Sequence, residues 1–305
     1  MEPIIFAGTP ENAAQSLRDL VKAGYEVRLV ITREDAPIGR KRVVAPSPVA
    51  LAAVDLGLKV LKTNRITPED ESFIGSVGAR LAVVVAFGAL LKQSTIETLE
   101  LGWFNLHYSV LPRWRGASPV QSSLAAGDAS TGVTLFKIDQ GLDTGFVVGV
   151  AETMIEPGEN AARLLARLTA LGSSLLSQEL PRLLAGVAAL TPQLGVASYA
   201  PKIDRTMSKI SLADSAATAI NKVLAYNPEP MAWLEFNGQP LRVLDARQVT
   251  ELLASGELKA TIGGVLLGLG DGSSIELLEV QPAGKPVMKA TDWFRGTKET
   301  ERSIS

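Results

Sequence analysis

One histidine, His107, occurs in the whole 305-residue chain. Asn105 lies two residues before it, and Asp139 and Asp143 follow in the loop Asp139-Gln140-Gly141-Leu142-Asp143-Thr144-Gly145. An imidazole takes up and releases a proton near neutral pH, and a carboxamide donates a hydrogen bond to an oxyanion as it forms. Side by side, the two suit acyl transfer, with a nearby carboxylate orienting the imidazole. Asp139 and Asp143 are both candidates for that carboxylate. The competing reading is a polar pair that caps a strand end, with Asp143 an ordinary turn residue.

The surrounding elements must bring these groups together. Leu101, Phe104 and Leu106 mark the end of a buried strand, and period-two alternation then projects Asn105 and His107 to the same side. A turn rich in Pro112, Arg113, Arg115 and Gly116 follows, then an apolar run over residues 133–138. Upstream, residues 4–7 form a short strand ended by Gly8-Thr9-Pro10, where Thr9 can cap a helix with Pro10 at its first position. Leu17, Leu20 and Val21 give that helix an apolar stripe, Gly24 ends it, and residues 27–31 form the next strand. A strand–helix–strand unit predicts parallel pairing. It lacks G-x-G-x-x-G, which argues against a dinucleotide site, and Gly8 instead permits close backbone approach at the carboxyl edge of the sheet.

Ser47 caps a second helix that opens at Pro48, and a third is predicted over residues 68–77. Residues 81–86 are an unbroken apolar run, the pattern of a strand buried on both faces. Phe87, Gly88 and Leu90 follow at its carboxyl end. Residues 147–154 form another strand, and leucines at helical spacing fill residues 160–184, with Pro181 as a candidate break. Beyond residue 209 come a helix over 213–225 and closely spaced strands with turns at Asn237-Gly238 and Asp271-Gly272. The expected architecture is α/β. A Rossmann-like, mostly parallel sheet forms an N-terminal domain over 1–189, a linker spans 190–209, and a smaller OB-like β-barrel domain spans 210–305.

Composition bounds the function. Without cysteine there is no disulfide framework or thiolate metal site, and one histidine argues against a histidine zinc site. No apolar run matches a membrane span, and no secretory leader is evident, which fits a cytoplasmic protein. A net charge of −2 does not announce a nucleic-acid binder, so any RNA contact must use local basic patches. The cluster Arg40, Lys41 and Arg42 in the polar loop 33–48 is one such patch. It is either a solvated surface loop or an arm that grips phosphates.

Asn105-Leu-His107, Ser109-Val-Leu-Pro112-Arg-Trp-Arg-Gly116, Thr131-Gly-Val-Thr134 and Gly141-Leu-Asp143-Thr-Gly145 stand co-linear in this sequence. Together they resemble the formyltransferase family that uses 10-formyltetrahydrofolate, and the likeness runs from Phe6 to Lys285. The resemblance implies Asn105, His107 and Asp143 as the catalytic trio. It implies a folate-contact segment over Ser109, Val110, Leu111 and Pro112, with Phe87, Gly88 and Leu90 lining the pterin pocket. It further implies that no metal is needed, because the donor is already activated. The place of loop 33–48 resembles the tRNA-binding loop of family members that formylate methionyl-initiator tRNA. Arg40, Lys41 and Arg42 would then be RNA contacts, and the chain a monomer that supplies formylated initiator tRNA for translation.

Rival readings are a formyltransferase for another amine, such as glycinamide ribonucleotide or an amino sugar nucleotide, a hydrolase releasing formate, and a non-catalytic RNA- or folate-binding module. Three positions depart from the common family pattern: Asn12, Tyr108 and Phe146.

Overall fold

In the computed structural model, which describes residues 2–39, 42–297 and 304 (residue 38 by its backbone alone), two strands without a polar face lie at the centre of a seven-stranded sheet. Ile4–Gly8 and Leu81–Val85 are buried along their whole lengths and pair in parallel. Such strands are stable only when both faces of the sheet are covered. The order across the sheet is Val147–Met154, Ser130–Lys137, Gly102–His107, Leu81–Val85, Ile4–Gly8, Val27–Thr32 and Val60–Lys62. The five strands from Gly102–His107 to Val60–Lys62 are parallel neighbours. Ser130–Lys137 runs antiparallel against Gly102–His107. The expected mostly parallel sheet is present, and the loops that follow its parallel strands gather at one edge, where open α/β sheets bind ligands.

Local details differ from the sequence reading in informative ways. Helix Glu11–Lys22 opens at Pro10 without a side-chain cap. The Thr9 hydroxyl instead donates to the Phe87 carbonyl at 2.9 Å, tying two carboxyl-edge loops together. Ser47 does cap helix Pro48–Asp55, accepting from Ala50 N at 3.0 Å. The polar loop 33–48 contains a small hairpin, Ala36–Ile38 with Val43–Ala45. Helix Ala161–Leu184 runs through Pro181 unbroken. Leu176, Leu180, Leu183 and Leu184 are buried on either side of the proline and hold the last turns in place.

Two compact units account for the chain. The first comprises Met1–Gly116, Ser130–Thr153 and Leu165–Tyr199, and it carries the seven-stranded sheet. The second comprises Ala117–Ala129, Met154–Leu164 and Ala200–Ser305. Its sheet has the strand order Ala232–Phe236, Gln239–Val249, Ser274–Pro282, Val265–Gly268 and Leu258–Ala260, with Met288–Lys289 also on Ser274–Pro282. These pairs are antiparallel, the antiparallel β domain expected from the hairpin signals. Asn237 and Gly238 both adopt left-handed φ (51° and 70°), the backbone of a two-residue hairpin turn. Ala219 and Val223 of helix Ala216–Tyr226 join Val243, Leu267 and Leu277 in the core of this unit. Among the described residues no helix is long and apolar enough to cross a membrane.

Candidate active site

Strand Gly102–His107 positions the first two groups. In register, Asn105 pairs with Val84 on one side and Phe136 on the other, and His107 pairs with Thr134. Phe104 and Leu106 are buried in the core. Asn105 is half-buried at the strand end, whereas His107 is only 5 % exposed.

Both ring nitrogens of His107 have a protein neighbour. Nε2 lies 2.8 Å from the Trp114 carbonyl oxygen. A carbonyl can only accept, so this contact assigns the proton to Nε2 and leaves the lone pair on Nδ1. Nδ1 faces Asp143 Oδ2 at 3.7 Å. The Phe136 ring meets the imidazole edge-on, with centroids 6.4 Å apart. Burial among such groups pulls the His107 pKa below its ordinary value, while the Asp143 charge and the Trp114 carbonyl pull the other way. The ring is therefore neutral at pH 7, which is the state a general base requires.

Two loops supply these neighbours, and each puts a non-glycine residue in the left-handed region: Trp114 (φ 60°) and Asp143 (φ 53°). Such a backbone costs of order 1–3 kcal/mol and persists only where other bonds hold it. Trp114 N donates to Ser198 Oγ at 3.0 Å, and Ser109 Oγ donates to the Arg113 carbonyl at 2.6 Å. Asp143 Oδ2 accepts from Gly116 N at 2.7 Å. Asp139 is occupied elsewhere: its Oδ1 accepts from Gly141 N at 3.0 Å and from the Thr144 hydroxyl at 2.6 Å. Of the two candidate aspartates, Asp143 reaches the imidazole and Asp139 builds the turn that presents it. At Gly145 an added Cβ would run into the Lys137 carbonyl oxygen, so the loop closes there only without a side chain.

The expected folate segment lies beside this site. Ser109 is fully buried, and its carbonyl accepts from the Thr134 hydroxyl at 2.7 Å. The same hydroxyl accepts from Leu111 N at 3.1 Å, so one threonine holds both ends of the turn. Leu111 and Pro112 are buried across a cis peptide bond, while Val110 is half-buried. On the neighbouring loop the Phe87 ring belongs to the apolar core, which leaves its main chain for the loop surface. Gly88 has φ 80°, and its carbonyl accepts from Arg33 Nη1 at 2.5 Å. Leu90 is 86 % exposed. Of the expected RNA contacts, Arg42 is an exposed residue with φ 50°, while Arg40 and Lys41 lie outside the described residues.

Sequence alone missed the groups that fix the imidazole and the carboxylate. The Trp114 carbonyl and the Gly116 amide act through the main chain, which every residue shares, so residue type carries no signal for them. Thr134 and Arg33 act by bonding to the backbone of neighbouring loops, a role equally invisible in composition.

Residues 2–180 match the formyl transferase family, and residues 202–298 match the formyl transferase C-terminal domain. The methionyl-tRNA formyltransferase of Paenarthrobacter aurescens is 40% identical over 303 residues, covering 99% of each chain. That of Renibacterium salmoninarum is 42% identical over 295 residues, covering 96% of each. In fold the chain is similar to an N-formyltransferase from Helicobacter canadensis solved with folinic acid and dTDP-3-aminofucose. The TM-score is 0.70 at 20% identity, over 92% of this chain and 100% of that one. It is also similar to HypX from Aquifex aeolicus solved with tetrahydrofolic acid, with a TM-score of 0.66 at 15% identity, over 97% of this chain and 47% of that one. With family matches in both halves and relatives of this identity along nearly its full length, the chain belongs to the formyl transferase family, among its methionyl-tRNA formyltransferases.

Proposed function

We propose that this protein transfers the formyl group of 10-formyltetrahydrofolate to the free α-amine of methionyl-initiator tRNA. The observation that carries the reading is the His107 imidazole, with Nε2–H committed to Trp114 and the Nδ1 lone pair turned toward Asp143. The amine nitrogen attacks the formyl carbon, and the carbonyl oxygen becomes an oxyanion. Asn105 donates its amide N–H to that oxyanion. The proton leaving the amine goes to His107 Nδ1, where the Asp143 carboxylate stabilises the resulting imidazolium. The bond from the formyl carbon to N10 of the folate then breaks, and N10 takes up the proton.

Ser109, Val110, Leu111 and Pro112 hold the folate on one side, and the main chain of Phe87 and Gly88 with the Leu90 side chain flank the pterin on the other. Gly88 suits this role because it presents backbone without a side chain. Arg40, Lys41 and Arg42 grip tRNA phosphates, and the antiparallel β domain after residue 209 adds contacts to the tRNA body. The enzyme acts as a monomer in the cytoplasm, where initiator tRNA is charged and used.

A side-by-side transfer assay tests this. It offers 10-formyltetrahydrofolate with methionyl initiator tRNA, with methionyl elongator tRNA and with glycinamide ribonucleotide, and includes a protein with Arg40, Lys41 and Arg42 changed to alanine. Transfer to initiator tRNA alone, weakened by the triple change, is the expected result. Transfer to the ribonucleotide would overturn the acceptor, and formate release without transfer would overturn the reaction.

A further inference from the structure

Gln193 lies in residues 181–201, between the two regions matched by the family, yet it reaches both loops of the active site. Its Nε2 donates to the Asp143 carbonyl at 2.8 Å and to the Gly145 carbonyl at 3.0 Å. Its Oε1 accepts from Arg115 Nε at 3.1 Å and from Arg115 Nη2 at 2.6 Å. The orientation of the amide follows from its partners. Carbonyls only accept and a guanidinium only donates, so the NH2 must face the Asp143 loop and the oxygen must face Arg115. Turned the other way, every one of these contacts would be lost.

The two ends of this bridge are the two ends of the catalytic pair. Arg115 directly follows Trp114, whose carbonyl holds His107 Nε2, and precedes Gly116, whose N–H holds Asp143 Oδ2. The chain around Gln193 is bonded to the same loops. Thr191 and Val147 exchange main-chain bonds of 2.8 and 2.9 Å. Ser198 accepts from Trp114 N through its hydroxyl and from Arg115 N through its carbonyl, at 3.0 and 2.9 Å. The left-handed backbone at Asp143 therefore has a side-chain donor on its own carbonyl as well as a main-chain donor on its carboxylate.

We propose that Gln193, seated on Arg115, is a positioning residue that sets the separation of Asp143 from His107. It touches no reacting atom and acts by holding the Asp143 loop against the turn that anchors the imidazole. This role rests on the formyl-transfer reading above, because positioning has meaning only for a reaction that uses the pair.

The test compares the unaltered protein with Gln193→Met and Gln193→Glu. Methionine keeps the length without donors, and glutamate keeps an acceptor for Arg115 but faces two carbonyls with a carboxylate. Formyl transfer by the unaltered protein is run in parallel, so failure of the reaction itself is seen separately. The expected result is a roughly ten- to hundred-fold fall in kcat with little change in KM for the folate donor, since misplacement by about 1 Å has costs of that order. His107 is the sole histidine, so its imidazole signal in an NMR titration reports the second readout. Asp143 is the charged group acting on His107 and raises its pKa, so a displaced Asp143 moves the titration midpoint to lower pH. A purely structural role would lower thermal stability and leave that midpoint in place. Unchanged kcat, or reduced kcat with an unmoved midpoint, overturns the proposal, as does failure of both variants to fold.

Discussion

His107 Nδ1 and Asp143 Oδ2 lie 3.7 Å apart because each residue is held by a main-chain group of one turn, the Trp114 carbonyl for the ring and the Gly116 N–H for the carboxylate. The gap is beyond hydrogen-bond length but within the range at which charge stabilises charge. In the proposed mechanism, a proton taken up on Nδ1 would have the Asp143 carboxylate as its counter-ion 3.7 Å away.

The buried imidazole makes stability depend on pH. Unfolded, His107 titrates near about 6.5, and burial holds the folded value below that. Below about pH 6.5 the unfolded chain binds a proton that the folded chain refuses, so this contribution is complete above that pH and falls as pH drops toward the folded pKa. Urea unfolding of the native protein and of His107→Gln measures it. The native protein is expected to lose stability more steeply than the variant over this window, and parallel slopes would contradict the assignment.

Asn105→Ala removes the amide that the proposed mechanism uses as the oxyanion donor. Loss of one such donor typically raises the barrier by roughly 2.7–4 kcal/mol, or about 10²–10³ in kcat. Because Asn105 is half-buried, the protein is expected to fold. Single-turnover formyl transfer under saturating folate gives the number, and a change below about five-fold would remove Asn105 from this role.

Asp143→Asn keeps an oxygen for the Gly116 N–H but loses the charge beside His107. Turnover is expected to fall by about 10²–10⁴, with a melting curve near that of the native protein. Activity within a few-fold of native would place the proton elsewhere.

The Tyr108 hydroxyl is buried without a partner at hydrogen-bond geometry, although Asn12, Ser16 and Thr169 are its polar neighbours. A buried donor left unmade costs free energy, so Tyr108→Phe is expected to leave stability unchanged or raise it by about 1 kcal/mol. Chemical denaturation checks this; a loss of about 2 kcal/mol or more would show that the hydroxyl is bonded. Asn12 and Tyr108, two positions that depart from the common family pattern, are thus neighbours in the fold.

The sheet was legible in the sequence because its strands announce themselves: residues 81–85 are apolar without interruption, and the alternation over 104–107 sets Asn105 and His107 on one side. A candidate trio could be named because side-chain chemistry is written in residue type, and the structure brings its imidazole and the Asp143 carboxylate to 3.7 Å. What holds the trio was not. Thr9 reads as a helix cap because threonine before Pro10 fits that pattern locally, but its hydroxyl finds the Phe87 carbonyl, 78 residues away. The choice between Asp139 and Asp143 likewise turns on which carboxylate the local turn uses up, and Gly141 N with the Thr144 hydroxyl claims Asp139. Gln193 sits in a stretch with little periodicity, where nothing in the residue order points to its partners.

The alternation of the chain between its two units has a consequence for how the protein is made. The chain enters the second unit at Ala117–Ala129 and at Met154–Leu164, returning each time to the first, before leaving it for good at Ala200. Helix Pro119–Ala126 packs on helix Ala216–Tyr226, with Gly127 lying against Asn221. On the ribosome, that first helix emerges well before its partner has been synthesised. A chain ended near residue 200 would therefore be no detached catalytic module: it would carry a helix with an unfilled contact face, and a gene split at that point would separate pieces that complete each other.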